Sequence, residues 1–450
     1  MREGGLDAPK RHPIAWRDED FYDPEKLDAE LRRVFDICHG CRRCFNLCDS
    51  FPRLFDLIDA SPSGELDRVK SSDFGPVAEA CTLCDMCFMT KCPYVPPHSF
   101  DLDFPHLMLR ARAVAARAGK VTRADRELAK TDRNGHLATL ASPLANWATK
   151  TENRVARRWL EAGASLHREA ELPKYASHSL AITAAAHPPA LDREAPAFGR
   201  KVVLYATCFG NYNDPETGLA VRAVLARNGV ETEIVYPRCC GMPLLEQGLL
   251  GEVAAHAEEV ARELGAWIAR GYDVIALVPS CALMLKFEWP LLLPENEAVG
   301  RLANATYDVS EYIVDIARKE GLAPGLRPIP GGVTLHMACH ARAQNMGQKA
   351  ADMLRLIPEM DIAVVERCSG HGGAWGFKTA NFPVALKVGR PAARAVKNAG
   401  HRFVTSECPL AGAHLRQMMI RDAADDAAPE LLPHPIRLLA RSYGLDHAAE

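Results

Sequence analysis

Two stretches of this sequence decide its fold, Lys201-Val-Val-Leu-Tyr-Ala-Thr-Cys208 and Gly332-Val-Thr-Leu-His-Met-Ala-Cys339. Each is a short, mainly apolar run that ends on a cysteine, and such a run is typical of a buried β-strand. After the first run, the pattern predicts a helix over residues 215–228 and a further strand over residues 231–236. Strands that alternate with helices in this way predict parallel α/β units.

The same landmarks occur twice along the chain and indicate an internal duplication. In the first half they are Cys208, Cys239-Cys240-Gly241 and Cys281, and in the second half they are Cys339, Cys368-Ser369-Gly370 and Cys408. The partners are offset by 131, 129 and 127 residues, and a nearly constant period is the mark of a repeat. Because sites in parallel sheets lie beyond the carboxyl ends of the strands, we expect these cysteines to converge on a metal site. Free cysteines buried in the core are the alternative, but they would not explain the repeated pattern.

Two further runs of cysteines lie near the start of the chain, Cys38-x2-Cys41-x2-Cys44-x3-Cys48 and Cys81-x2-Cys84-x2-Cys87-x4-Cys92-Pro93. Three cysteines spaced by two residues let one loop bind three irons of a cubane, and a remote cysteine from the other run binds the fourth. This logic predicts two [4Fe–4S] clusters, one held by Cys38, Cys41, Cys44 and Cys92 and the other by Cys81, Cys84, Cys87 and Cys48. Tandem Cys-x2-Cys pairs also bind zinc, but a tetrahedral zinc site would leave Cys44 and Cys87 without a role.

The composition excludes several classes of protein. The chain has 450 residues, of which 48% are hydrophobic, and this is enough for packed cores in about three domains. Its net charge of −3 does not suit a nucleic-acid-binding protein. The fifteen cysteines are odd in number and no signal peptide is evident, so we expect a reducing cytoplasm that leaves thiols free for metal. The longest apolar stretch, residues 274–285, is too short to span a bilayer.

Five segments follow from these patterns. They are an irregular arm over residues 1–24, a helical two-cluster ferredoxin-like domain over 25–105, a basic helical linker over 106–199, and two repeats over 200–330 and 331–450. The predicted fold is a multidomain protein of the α+β and α/β classes, in which the ferredoxin-like domain precedes duplicated α/β repeats.

The basic linker combines positive charge with apolar residues. Residues 110–158 contain twelve Lys or Arg against four Asp or Glu, which is a local net charge of +8. An apolar patch lies among these charges and consists of Leu137, Leu140, Leu144 and Trp147. Such a segment suits an anionic lipid surface or the face of an acidic partner subunit. It equally suits helices that pack their apolar side on their own protein, and the three alternatives stay open at this point.

Together these motifs resemble a family of iron–sulfur proteins with cysteine-rich CCG repeats. The most specific stretches are Cys239-Cys240-Gly241-Met242-Pro243, Pro279-Ser280-Cys281, Met337-Ala338-Cys339-His340 and residues 368–378. The layout is similar to the C subunit of anaerobic glycerol-3-phosphate dehydrogenase and to the iron–sulfur subunit of glycolate oxidase. The repeats are similar to the catalytic B or D subunit of heterodisulfide reductase. The run Trp375-Gly376-Phe377-Lys378 resembles the glycerol-3-phosphate dehydrogenase branch.

The resemblance implies a third iron–sulfur cluster, whose ligands would be Cys208, Cys239, Cys240 and Cys281. The corresponding set in the second repeat is Cys339, Cys368 and Cys408. The full motif of the family closes each repeat with Cys-x2-Cys, but Met284 and Ala411 stand at those positions, and Ser369 replaces a further cysteine. The second repeat therefore has only three thiols. A nearby residue, namely His340, His371 or Ser369, could complete an iron–sulfur site there, or the site could bind zinc, or an open iron corner could bind a substrate. A histidine beside a ligand cysteine is more often structural, or a partner of a ligand, than a ligand itself.

The resemblance also implies electron transfer, and three functions remain open. The leading hypothesis is an iron–sulfur subunit of an oxidoreductase complex, which passes electrons from a flavoprotein dehydrogenase to a quinone or another acceptor. No nucleotide-binding fingerprint is present, so we expect another chain to oxidise the substrate. The alternatives are a catalytic reductase that acts on a disulfide, which the missing cysteines disfavour, and a metal-bearing redox sensor. We expect a cytoplasmic location, and residues 110–158 suggest peripheral contact with the inner face of the cytoplasmic membrane.

Overall fold

The computed structural model of the protein describes residues 9–186, 188–421 and 429–445. It contains two sheets of four parallel strands each. The strands of the first sheet are β1 (Lys201–Tyr205), β2 (Glu231–Val235), β3 (Asp273–Ala276) and β4 (Thr306–Asp308), and those of the second are β5 (Val333–His336), β6 (Ile362–Val365), β7 (Phe403–Ser406) and β8 (Glu430–Leu432). Their spatial orders, β2-β1-β3-β4 and β6-β5-β7-β8, are the same. The predicted duplication of an α/β unit is therefore confirmed.

The pairing of the strands places the repeat cysteines at one edge of each sheet. Strand β1 pairs in parallel with β2 and β3, and β5 pairs in the same way with β6 and β7. Because these strands run in one direction, their carboxyl ends lie along a single edge of the sheet. Every cysteine of the two repeats lies in a segment that leaves this edge.

The central strand of the first sheet is buried on both faces. Val203 and Tyr205 belong to a hydrophobic core that continues into the N-terminal helices, whereas Val202 and Leu204 belong to a core shared with the second repeat. Successive residues of a strand point to opposite faces, so a strand covered on both sides is apolar throughout. This is why the run before Cys208 lacks the alternation of a half-exposed strand.

The N-terminal cysteine-rich part is helical. Its elements are α1 (Pro24–Cys41), α2 (Ser50–Asp59), α3 (Gly75–Ala80) and α4 (Phe104–Arg117), with a π-helical turn at Cys87–Lys91. The Asp23 side chain caps α1 by accepting hydrogen bonds from the backbone N–H groups of Glu25 and Lys26 at 2.8 and 3.0 Å. The buried face of α1 consists of Leu27, Leu31, Val34 and Phe35, as helical spacing predicts.

The linker is helical as well. Its elements are α5 (Arg123–Leu128), α6 (Thr131–Leu140), α7 (Ser142–Thr149), α8 (Arg154–Ala164) and α9 (Leu180–Ala186). The apolar patch of Leu137, Leu140, Leu144 and Trp147 is between 56% and 72% exposed. Packing against the chain's own core therefore does not account for this patch. Within the described ranges, no helix has the length and apolar character needed to cross a membrane.

Helices surround the two sheets. The first repeat contains α10 (Cys208–Tyr212), α11 (Pro215–Arg227), α12 (Met242–Leu245), α13 (Leu250–Ile268), α14 (Pro279–Leu283), α15 (Trp289–Leu292), α16 (Glu297–Ala305) and α17 (Val309–Lys319). The second contains α18 (Cys339–Ala343), α19 (Lys349–Leu354), α20 (Phe382–Ala399), α21 (Pro409–Arg421) and α22 (Ile436–Ser442). Helices α10 and α18 begin at Cys208 and Cys339, so these thiols lie in the first turn beyond β1 and β5.

Candidate metal centres

The thiols of the first N-terminal run gather around a cysteine of the second run. Burial raises the pKa of the Cys38 thiol, and neighbouring thiols raise it further. Those neighbours are Cys92, Cys44 and Cys41, in order of their effect. Burial also raises the pKa of Cys44 to about 12, with Cys92 as the next cause. Such thiols keep their protons at neutral pH unless a metal replaces the proton.

Cys48 of the first run lies with the second run in the same way. Burial raises the pKa of Cys48, and the thiols of Cys84 and Cys81 add to the effect. Burial likewise raises the pKa of Cys87, and the thiols that contribute next are Cys84, Cys81, Cys48 and Cys44. The two groups of four are therefore adjacent, with Cys87 of one group near Cys44 of the other. That each group binds a [4Fe–4S] cluster stays a prediction.

Backbone N–H groups donate hydrogen bonds to several of these sulfurs. The pairs are Ser50 and Phe51 at Cys48, Leu83 at Cys81, Met86 at Cys84, and Tyr94 and Val95 at Cys92. Each of these bonds lowers the pKa of a thiol that burial raises. In the loop of residues 81–87, Leu83 and Asp85 have φ values of 49° and 63°, which are uncommon outside glycine. Hydrogen bonds to the sulfurs are one of the factors that set the potential of an iron–sulfur cluster.

The four thiols of the first repeat form two close pairs. The Sγ atoms of Cys208 and Cys239 are 3.7 Å apart, and those of Cys240 and Cys281 are 3.2 Å apart. Both distances exceed the ~2 Å of a disulfide bond. Hydrogen bonding with the thiols of Cys208 and Cys240 lowers the pKa of Cys239. The backbone N–H of Gly241 donates to the same sulfur at 3.5 Å.

Residues from distant segments hold the Cys239-Cys240 pair in place. The backbone N–H of Cys239 donates to Asp132 Oδ1 at 3.1 Å, and its carbonyl oxygen is 2.9 Å from His256 Nδ1. Trp289 Nε1 donates to the carbonyl oxygen of Cys240 at 3.1 Å. Such outer contacts orient metal ligands. Nothing in the sequence points to Asp132, His256 or Trp289, because only tertiary packing brings them to the site.

The three cysteines of the second repeat lie near the second N-terminal group. Burial raises the pKa of Cys339, and the thiols that contribute next are Cys84, Cys368 and Cys408. Burial also raises the pKa of Cys84 to about 12, with Cys368 as the next cause. The backbone N–H of Gly370 donates to Cys368 Sγ at 3.3 Å. A thiol of the N-terminal part is therefore close to two thiols of the second repeat.

A cavity of about 1070 Å³ is lined by cysteines of the second N-terminal group and of both repeats. Its lining includes seven cysteines, namely Cys84, Cys208, Cys240, Cys281, Cys339, Cys368 and Cys408. The two repeats meet at this cavity, because cysteines of both line it. Burial raises the pKa of Cys408, two backbone hydrogen bonds lower it, and the nearby Cys281 thiol raises it. Glu246 also lines it, and burial raises the pKa of this carboxyl to about 7.

The donor set fits iron–sulfur clusters. Thiolates are the usual ligands of such clusters, and a cubane takes four. The N-terminal part has two groups of four thiols, and the first repeat has one group of four. The second repeat has three thiols. For the part of the chain that the structure describes, no three His, Cys, Asp or Glu side chains form a ready site for a single metal ion.

The fold and the cysteine groups define a class of protein. Residues 202–286 and 333–416 match the CCG family of cysteine-rich domains. The chain belongs to the family of proteins that carry these domains, and the resemblance inferred from its motifs is confirmed.

Three named relatives illustrate this family. The chain is 26% identical over 289 residues to the C subunit of anaerobic glycerol-3-phosphate dehydrogenase from Escherichia coli (strain K12), a match that covers 62% of this chain and 69% of the relative. It is 26% identical over 234 residues to the B subunit of fumarate reductase (CoM/CoB) from Methanothermobacter marburgensis, with coverage of 51% and 44%. It is 30% identical over 191 residues to lactate utilization protein A of Geobacillus kaustophilus (strain HTA426), with coverage of 40% and 75%.

Proposed function

We propose that this chain is an iron–sulfur electron-transfer subunit of an oxidoreductase complex. A flavoprotein dehydrogenase donates the electrons, and a quinone or another acceptor receives them. The observation that carries this proposal is a succession of neighbouring thiols that runs from the N-terminal part through both repeats. The names of two relatives, a dehydrogenase subunit and a reductase subunit, agree with it.

Each link in this succession joins two different groups of thiols. The linking pairs are Cys44 with Cys87, Cys84 with Cys339, and Cys408 with Cys281. When bound, a [4Fe–4S] cluster at each group accepts and donates one electron at a time. The chain itself supplies the thiolates, buries several of them and donates backbone hydrogen bonds to several of their sulfurs. These protein contributions tune the potentials along the route.

The proposal is tested by the metal content of the intact protein. Purified without oxygen, the chain should contain about twelve irons if the two N-terminal groups and the first repeat each bind a cubane, and about sixteen if the second repeat binds one too. EPR spectra recorded during a dithionite titration should show magnetic interaction between neighbouring reduced clusters. About eight irons together with zinc would contradict the proposed route through the repeats, and fast turnover of a disulfide without a flavoprotein would favour the reductase alternative.

We infer that the exposed face of the linker contacts an anionic membrane surface. Besides the apolar patch, Val155 and Trp159 of α8 are 68% and 75% exposed. These two residues are four positions apart, so they lie on one side of the helix. Lys150, Arg154 and Arg158 are exposed beside them. Exposed tryptophans flanked by basic side chains are characteristic of helices that lie in the interface of anionic bilayers.

Vesicle binding tests this surface. Replacing Trp147 and Trp159 together with serine should weaken binding to vesicles that contain anionic lipid by about tenfold, because two large apolar side chains no longer enter the interface. Phe198 is 52% exposed outside the linker helices, and F198S is the matched control that should bind normally. Co-sedimentation at two salt concentrations measures both effects. Equal binding to neutral vesicles would contradict the role of the basic side chains, and no binding by the parent chain to either vesicle would contradict the lipid assignment.

A further inference from the structure

Among the described residues of the second repeat, one buried imidazole has no hydrogen-bond partner. His371 is 5% exposed, and neither Nδ1 nor Nε2 makes a hydrogen bond within the described part of the chain. Leaving a buried polar group without a partner costs about 1–3 kcal/mol. Native proteins rarely leave such groups unpaired, and a missing ion or ligand is one of the recognised reasons.

This imidazole lines the same cavity as the three thiols of its repeat. His371 follows Cys368 by three residues, and both line the cavity together with Cys339 and Cys408. The ring of Phe377 meets the imidazole edge-on, with 5.0 Å between the ring centroids. The histidine thus lies in the part of the molecule where a fourth ligand is lacking.

The loop that carries His371 is held in one conformation. Gly370 and Gly372 have φ values of 76° and 56°, which favour glycine. A Cβ at Gly370 would come within 2.1 Å of the Ala385 carbonyl oxygen, and one at Gly376 within 2.0 Å of the His371 carbonyl oxygen. The surrounding backbone leaves no room for these atoms, so this loop packs closely against its neighbours.

The other two described histidines that line the cavity, His340 and His336, are already engaged. His340 Nδ1 is 2.9 Å from Ser280 Oγ, and its Nε2 is 3.1 Å from the Leu83 carbonyl oxygen. His336 has a partner on each ring nitrogen as well, both at 2.9 Å. Of the described histidines that line the cavity, His371 is therefore the one whose ring nitrogens have no hydrogen-bond partner, and a neutral imidazole has one nitrogen lone pair that can bind a metal.

We propose that His371 is the fourth ligand of an iron–sulfur cluster in the second repeat, together with Cys339, Cys368 and Cys408. This inference rests on the proposed function, because it assumes that the protein binds such clusters. An imidazole carries no negative charge, so exchange of one thiolate for it makes the cluster less negative and raises its potential. The second repeat would then attract electrons that arrive from the neighbouring group at Cys84.

Nitrogen hyperfine spectroscopy tests the ligand directly. Pulsed EPR of the reduced protein should show strong coupling to one nitrogen, which changes when histidine is labelled with ¹⁵N. H371C should keep its iron, lose this coupling and shift the midpoint potential of one cluster to a more negative value. H371A should lose about four irons per chain or yield an incomplete cluster.

His434 provides a matched control. It is 2% exposed, its Nε2 has no hydrogen-bond partner in the described chain, and it does not line the cavity. H434Q should keep both the iron content and the nitrogen coupling. If the parent protein binds about twelve irons or more but shows no histidine coupling, or if H371A keeps the coupling, this inference is wrong while the proposed function stands. If the parent binds no iron–sulfur cluster, the proposed function itself fails.

Discussion

C92S should remove the cluster held by Cys38, Cys41 and Cys44, although Cys92 belongs to the other run. The physical reason is that a cubane with three thiolates and a serine side chain is weakly held and exposed to loss of iron. Conversely, C48S should affect the cluster of Cys81, Cys84 and Cys87. Each single variant should lose up to about four irons per chain.

A variant that already lacks one cluster tests directly which cluster Cys92 and Cys48 each bind. In C38A/C41A, the first cluster is already lost, so the addition of C92S should leave the iron content unchanged. Addition of C48S to the same background should remove about four more irons. Iron and sulfide analysis with EPR follows both steps. The opposite pattern, in which C92S but not C48S removes further iron, would show that each run binds its own cluster.

R11M should destabilise the protein by about 3–5 kcal/mol, the usual cost of removing one partner from a buried ion pair. The Arg11 guanidinium donates to Asp85, Asp103 and Glu288 at 2.6, 3.3 and 3.0 Å. Its side chain is 10% exposed, and those of Asp85 and Glu288 are each 5% exposed. Methionine would leave Asp85 without its positive partner in a poorly solvated place, and it would leave Asp103 and Glu288 with His106 as their remaining basic neighbour.

The effect should extend to the second N-terminal group of thiols. Asp85 lies between Cys84 and Cys87, so Arg11 also holds the loop that presents these two thiols. Anaerobic unfolding by denaturant measures the free energy of unfolding. The rate at which iron is released to a chelator measures how tightly the cluster is bound. Arg17 is the control, because it is 66% exposed and 3.8 Å from Glu258, and R17M should cost less than about 1 kcal/mol. If R11M and R17M lowered the free energy of unfolding equally, the proposed role of Arg11 would be wrong.

The fold was largely predictable because its signals are local. The apolar runs before Cys208 and Cys339 predict buried strands, and the repeated order of strand, helix and cysteine predicts two equivalent sheets. The expected ends were close to those observed, with the first strand at Lys201–Tyr205 and the following helix at Pro215–Arg227. Strand burial and helix periodicity are encoded over a few residues, so a single sequence suffices to find them.

The candidate site was predictable in its ligands but not in its surroundings. Cysteine spacing by itself determined which thiols to consider, since ligands on one short loop must follow the geometry of the metal. Only the tertiary structure placed Cys84 beside Cys339, left the linker patch exposed and left the His371 nitrogens without partners. These features depend on how distant segments pack into shared cores, and no local pattern in the chain encodes that packing.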